Sequence, residues 1–121
     1  HMAYVQPLAP GFRYGLGAIS GGGSTGQLVR LTGDNVFSVN GDPAKRSFGI
    51  LEKTYKDGEL CGVFCLGGVY ETDIFVGTPA VGDELACDAQ TGKLKVKGQG
   101  EFAVGEVIAA VSGVLRFKLY V

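Results

Sequence analysis

Pro79-Ala80-Val81-Gly82-Asp83-Glu84-Leu85-Ala86-Cys87-Asp88-Ala89-Gln90-Thr91-Gly92-Lys93-Leu94-Lys95-Val96, followed by residues 102–111 and 113–121, settles the fold class. Val81-Gly82-Asp83 carries turn chemistry, because glycine accepts positive φ and an aspartate side chain bonds its own backbone. A strand is expected over residues 84–88. Ala89-Gln90-Thr91-Gly92 then reads as a hairpin loop with glycine at its left-handed position. On the return strand Leu94 and Val96 face one way, and Lys93, Lys95 and Lys97 the other. The last run repeats the pattern, setting Leu115, Phe117, Leu119 and Val121 against Arg116, Lys118 and Tyr120. Apolar residues at period two, on one face only, mean a half-buried antiparallel sheet.

Similar runs extend toward the N-terminus at residues 27–31, 36–39, 49–53, 60–66 and 69–76. Turns divide them at Gly33-Asp34-Asn35, Asn40-Gly41-Asp42-Pro43, Lys56-Asp57-Gly58 and Gly67-Gly68. No ten-residue window holds a helical apolar period without a glycine or proline breaking it. The expected fold is therefore all-β: a small antiparallel β-barrel, or a β-tulip or sandwich, with an extended N-terminal arm. Residues 1–2 read as a cloning remnant, 3–25 as the arm and a glycine-rich loop, and 26–121 as one β domain.

Composition bounds the function. A chain of 121 residues is one domain and buries about two-thirds of its unfolded surface. Charged residues are 19% and the net charge is −1, which argues against a protein built to grip polyanions. Glycine, 21 of 121, is more than twice its usual share and has no triplet period, so it marks tight turns. The only histidine is His1, in the remnant, which leaves no imidazole for a triad, a proton shuttle or a metal site. No apolar run reaches the roughly 18 residues of a membrane span, and none reads as a signal peptide.

Cys61 and Cys65 lie four apart in an apparent strand, about 13 Å from one another on one side, too far for a disulfide. With Cys87 they read as reduced, half-buried small hydrophobes, folded in a reducing compartment. No spacing among them suits zinc. Asp83 belongs to a turn, and Glu84 and Asp88 to a solvent face. No catalytic residue, cofactor or metal site is expected, and the chain does not read as an enzyme.

Residues 3–14 differ from the rest. Pro7 and Pro10 bar a helix and weaken any central strand, while Tyr4, Val5, Leu8, Phe12 and Tyr14 make the segment sticky. Such an arm either closes an edge of its own sheet or reaches another chain. The second reading makes Tyr4, Val5, Leu8, Phe12, Arg13 and Tyr14 the partner-binding residues. Residues 15–26, with Gly21-Gly22-Gly23-Ser24-Thr25-Gly26, are expected as a flexible loop. No Lys-Ser/Thr and helix follow, as a phosphate loop requires, and Gly15-Leu16-Gly17 is too short for a dinucleotide fingerprint.

The halves of the chain echo each other. Leu28, Phe37 and Val39 match Leu85, Leu94 and Val96 at a spacing of 57, Gly49 matches Gly105 at 56, and Asp57-Gly58-Glu59-Leu60 matches Ser112-Gly113-Val114-Leu115 at 55. The parity of Val29 and Leu31 disagrees with that of Leu85 and Cys87 in this alignment.

Gly49-Ile50-Leu51-Glu52, then Asp57-Gly58-Glu59 leading into Cys61-Gly62-Val63-Phe64-Cys65-Leu66-Gly67-Gly68-Val69, sets a recognisable order. Val81-Gly82-Asp83-Glu84-Leu85 with Asp88-Ala89-Gln90-Thr91-Gly92-Lys93-Leu94 continues it, followed by Val104-Gly105-Glu106-Val107 and Gly113-Val114-Leu115-Arg116-Phe117-Lys118-Leu119. Over residues 26–121 the chain resembles the small β-rich decoration (cement, or head-stabilising) proteins of tailed bacteriophage capsids. The resemblance implies a non-enzymatic structural protein of the virion, bound outside the shell to the major capsid protein and often a homotrimer. It also implies attachment through an N-terminal arm. The alternative is an oligonucleotide-binding small barrel using the row Lys93, Lys95 and Lys97 with Arg116 and Lys118. Only Tyr120 offers a stacking platform there, so nucleic acid is the weaker expectation.

Overall fold

The computed structural model describes residues 3–121; His1 and Met2, read as a remnant, lie outside the described residues. The chain is all-β. Its strands are β1 (Val5–Ile19), β2 (Leu28–Gly33), β3 (Val36–Val39), β4 (Gly49–Leu51), β5 (Leu60–Thr72), β6 (Glu84–Cys87), β7 (Leu94–Val96), β8 (Gly105–Val111) and β9 (Val114–Leu119). The hairpin loop at Ala89–Gly92 closes as its chemistry requires, with Gly92 at φ 71°. Asp88 accepts from the Thr91 amide at 2.9 Å and from its hydroxyl at 2.8 Å.

One sheet of order β1-β3-β2-β4-β5-β9-β8-β6-β7 returns on itself, because β1 also pairs with β5. The pairing makes two rings in series. The first runs β1-β3-β2-β4-β5 and closes where β1 lies antiparallel to β5. The second runs β5-β9-β8-β6-β7 and closes through a parallel bridge from Phe75 to Leu94. Strand β5 serves both, its first half in one ring and its second half in the other.

The second ring repeats the register of the first at the positions that close it. Tyr14 opposes Val63 as Tyr70 opposes Phe117, and Leu51 opposes Val63 as Val107 opposes Phe117. Val29 faces Val39 and Gly49, as Leu85 faces Val96 and Gly105. The Phe48 amide donates to the Val29 carbonyl and the Val104 amide to the Leu85 carbonyl, each at 2.7 Å. Ile19 runs parallel to Phe37, as Phe75 does to Leu94. This register corrects the sequence alignment by one residue: Val29, not Leu28, is the counterpart of Leu85. The conflict of parity disappears with it. The spacing grows by one between β2 and β3 because the second hairpin has the longer loop.

The two cores follow the same plan. Inside the first ring lie Ile19, Val29, Phe37, Leu51, Cys61 and Val63, with Tyr14 and Phe48 at the margin. Their counterparts, Phe75, Leu85, Leu94, Val107, Leu115 and Phe117 with Tyr70 and Val104, gather inside the second. Leu28, Ile50 and Phe64 point out of the first ring and pack with the second core. Hence β2, β4 and β5 read as doubled apolar pairs (Leu28-Val29, Ile50-Leu51, Val63-Phe64), since both faces are buried. The positions equivalent to Leu28, Ile50 and Phe64 in the second ring are Glu84, Glu106 and Lys118. That face is wet: Lys118 pairs with Glu106 at 3.2 Å, and the Tyr120 hydroxyl donates to Glu84 at 3.1 Å.

The segment expected as an arm is the first part of β1, hydrogen-bonded along β5 from Val5 opposite Thr72 to Ala18 opposite Leu60. Prolines weaken a strand without forbidding it at a sheet edge, and here a register shift follows each of Pro7 and Pro10. The glycine-rich stretch is shorter than expected, because residues 15–19 belong to β1. What remains is pinned, not loose: Gly23 and Tyr55 exchange backbone bonds at 3.0 and 2.8 Å, and the Gly21 amide donates to Asp57 at 2.7 Å.

The Asp88 cap makes a pH prediction. Its carboxyl is held below the ordinary value, first by the Thr91 hydroxyl and then by backbone donors. A depressed carboxyl stabilises the fold fully above its ordinary value, and that stability is lost as pH falls through the native one. The Asp88→Asn variant should melt lower at neutral pH, by about 1 kcal/mol. The gap to wild type should close between about pH 5 and pH 2. A gap that persists in acid would overturn the assignment.

Candidate interaction surface

The two rings differ most in what covers them. In the second ring Tyr70, Cys87 and Val104 are buried in one cluster with Leu28, Ile50 and Phe64, and the Tyr70 ring lies 5.0 Å from that of Phe64. The counterparts in the first ring are Tyr14, Leu31 and Phe48. No described segment covers them. Leu31 is 50% exposed, and Tyr14 and Phe48 are half-buried.

Two hollows open on this face. One, of about 580 Å³, lies between Phe12, Tyr14, Phe48, Cys65, Leu66, Phe102 and Tyr120, with Arg46 at its rim. The Arg46 guanidinium stands 5.6 Å from the centre of the Phe102 ring, within cation–π range. The other, of about 320 Å³, is bounded by Tyr14, Leu31, Asn35, Phe37 and Phe48. Tyr14 and Phe48 form the wall between them. Both are fixed from behind: their rings meet edge-on at 5.7 Å, each contacts Phe37, and the Tyr14 hydroxyl bonds Asn35 Oδ1 at 2.6 Å. An aromatic hollow backed by rigid rings loses little freedom on binding, which is what a recognition surface needs.

Leu66 stands at the rim of the larger hollow, 74% exposed and at φ 56°. A bulky side chain in the left-handed region is strained. The strain has a local cause: β5 must bend from one ring into the other, and Leu66-Gly67-Gly68 all have positive φ. Gly11 lies against this bend, and a Cβ there would collide with the carbonyls of Leu66 and Gly67.

Of the residues expected to bind a partner, Phe12 and Tyr14 reach this face. Phe12 is 53% exposed. The others are placed elsewhere. Tyr4 is tied to β5, its amide donating to Asp73 Oδ1 at 3.0 Å and its carbonyl accepting from the Thr72 hydroxyl at 2.8 Å. Val5 packs against the second core. Arg13 pairs with Glu52 at 2.8 Å, which raises its pKa. Leu8 is exposed on the β1 edge away from the hollows. Sequence reasoning passed over Leu31, Phe48, Leu66 and Phe102. Leu31 had a signal: it carries the parity of Val29, and only its counterpart Cys87 shows that such a position is ordinarily covered.

A wider dish of about 770 Å³ is lined by Gly21-Gly22-Gly23, Ser24, Lys56, Asp57 and Thr91. Asp57 and Gln27 are spent on bonds within it, to the Gly21 amide and to the Ser24 amide and Thr91 carbonyl. Asp83, Glu84 and Asp88 do not converge: Asp83 accepts from the Ala80 amide at 2.9 Å, Glu84 faces Tyr120, and Asp88 caps its turn. Among the described residues no group of His, Cys, Asp or Glu is arranged to hold a metal ion. Of the basic row Lys93, Lys95, Lys97, Arg116 and Lys118, three are in ion pairs: Lys95 with Glu101 at 2.8 Å, Arg116 with Glu71 at 3.4 Å and Lys118 with Glu106. Paired cations attract a phosphate backbone weakly.

The three thiols are buried and free. Burial raises Cys61 and Cys65 and pushes Cys87 up to about 11. A thiol reagent at about pH 8 should leave the native protein unlabelled and take up three equivalents per chain on unfolding. Fast labelling of the native state would overturn that. No protein-family model matches the chain, and a search of curated proteins finds no match either.

Proposed function

We propose that this is a non-catalytic structural protein that attaches by one face to a larger assembly, as a decoration protein on the outside of a phage capsid. One observation carries the reading. Two surfaces differ in kind: an open aromatic face on the first ring, walled in part by Phe102 and Tyr120, and beyond Tyr120 a charged face of Glu84, Glu106 and Lys118. An apolar patch with rigid hollows marks a docking surface, and a charged, internally paired face suits permanent exposure to solvent. The resemblance narrows the assembly to a capsid, the partner to the major capsid protein and the oligomer to a trimer, with the virion surface as the location.

Co-sedimentation with empty heads of the cognate capsid protein tests it. The wild-type protein should pellet with heads, and a Phe12→Lys/Leu31→Glu variant should stay in the supernatant while remaining folded. Wild-type binding by that variant would place the contact elsewhere. A solution mass near 12.6 kDa across the micromolar range would overturn the trimer.

A further inference from the structure

The equivalence of the two rings shows how the open face is filled. In the second ring the half of β5 from Val69 to Thr72 is paired on both sides, with β9 on one and with the start of β1 on the other. Its counterpart in the first ring is β1 over residues 13–16. There β5 holds one side, and no described strand pairs with the other before β3 meets Ala18. The first ring thus has a vacant strand position that the second ring fills with an extended apolar segment, Val5-Gln6-Pro7-Leu8-Ala9-Pro10.

Further features mark this edge as open for use. Proline lacks a donor and protects sheet edges. Pro7 and Pro10 interrupt the first half of β1, whereas residues 11–17 contain no proline. Leu16, 69% exposed, and Phe12 stand on that unprotected half. The Leu16 carbonyl is already taken by the Asn35 side-chain amide at 2.7 Å, which sets the end of the free stretch.

We propose that residues 12–16 of β1 accept, as an added antiparallel strand, an extended uncharged segment of a different protein whose apolar side chains enter the hollows beside Tyr14. Two things fix the class of occupant. The chain's own filler of the equivalent position is extended, apolar and uncharged. A second copy is disfavoured as donor, since its own segment 5–10 is already paired with β5 and would have to leave it. Strand addition supplies backbone bonds for affinity and alternate side chains for specificity. This deepens the attachment proposed above and rests on the same face, but its test needs no capsid.

The probe is a peptide of residues 3–10, Ala-Tyr-Val-Gln-Pro-Leu-Ala-Pro, added to the isotope-labelled full chain. Amide exchange at residues 12–16 should slow at least tenfold near saturation. The effect should vanish for the Leu31→Glu variant and for a peptide N-methylated at alternate residues, which cannot pair. No protection at millimolar peptide would overturn the inference. Protection confined to Val69–Thr72 would overturn it too, as simple exchange with the native β1 segment. Protection without peptide, rising with protein concentration alongside the mass, would make a second copy the occupant and overturn it equally. If the peptide binds as described and heads do not, the capsid reading fails and the strand-accepting edge stands.

Discussion

Deleting residues 3–14 should abolish cooperative folding. The segment supplies the whole first half of β1, whose partner β5 is shared by both rings. Without it β5 loses its β1 partners from Val63 to Thr72, the second core loses Val5 and the first loses Tyr14. The Tyr4 bonds to Asp73 and Thr72 and the donation from the Gly11 amide to the Tyr70 hydroxyl at 3.3 Å also go. Several losses of about 1–3 kcal/mol each exceed a typical total of roughly 5–15 kcal/mol. Circular dichroism and a thermal melt of the truncated chain decide the matter. A sharp transition near the wild-type temperature would mean that β1 is a detachable arm, as the prolines suggest when read alone.

Gly49 and Gly105 should prove equally intolerant of alanine. They are counterparts in the two rings, and a Cβ on either would run into a backbone carbonyl of the next strand, that of Phe64 or of Lys118. Backbone cannot rotate out of the way as a side chain can, so the strands must separate. The expected cost is on the order of 3 kcal/mol for each variant, or roughly 10 °C of melting temperature. Gly58→Ala and Gly113→Ala are the contrast. Both glycines face open space, and both lie at positive φ, 83° and 77°, so strain alone should cost about 1 kcal/mol. Loss at one of the strand glycines and not at the other would break the equivalence of the rings.

Much of this was legible in the sequence, for identifiable reasons. Alternation of Leu94-Lys95-Val96 and of residues 115–121 gave the half-exposed strands, because one wet face leaves a period of two. Gly92 gave its hairpin. The repeat was visible through Phe37 with Leu94, Val39 with Val96 and Gly49 with Gly105. It was one residue out at β2, because Leu28 and Val29 are both apolar and only the pairing with Gly49 tells which faces inward. The sequence leaves the arm between an edge of its own sheet and another chain for a related reason. Pro7 and Pro10 announce an edge, and nothing local reveals that Thr72 and Tyr70 wait opposite. The aromatic face was hidden because Phe12, Leu31, Phe48 and Phe102 come from four distant segments. None of them is unusual where it stands in the chain.

The passage of β5 between its neighbours has a mechanical consequence. Strands β1 and β9 flank the same half of β5, both antiparallel to it and hence parallel to one another. The first strand begins at the level of Thr72, and the last ends beyond Val69, where the Gly67 amide holds the Val121 carbonyl at 3.2 Å. Tension applied between the two ends therefore pulls along the strands, and the bonds across β5 share the load instead of parting one at a time. Single-molecule stretching by the termini should give one high, abrupt rupture. Pulling between Val5 and Thr72, which face each other at one end of the β1–β5 pairing, should unzip it bond by bond and yield at much lower force. The fold would then resist stretching along its length while remaining easy to open from its edge.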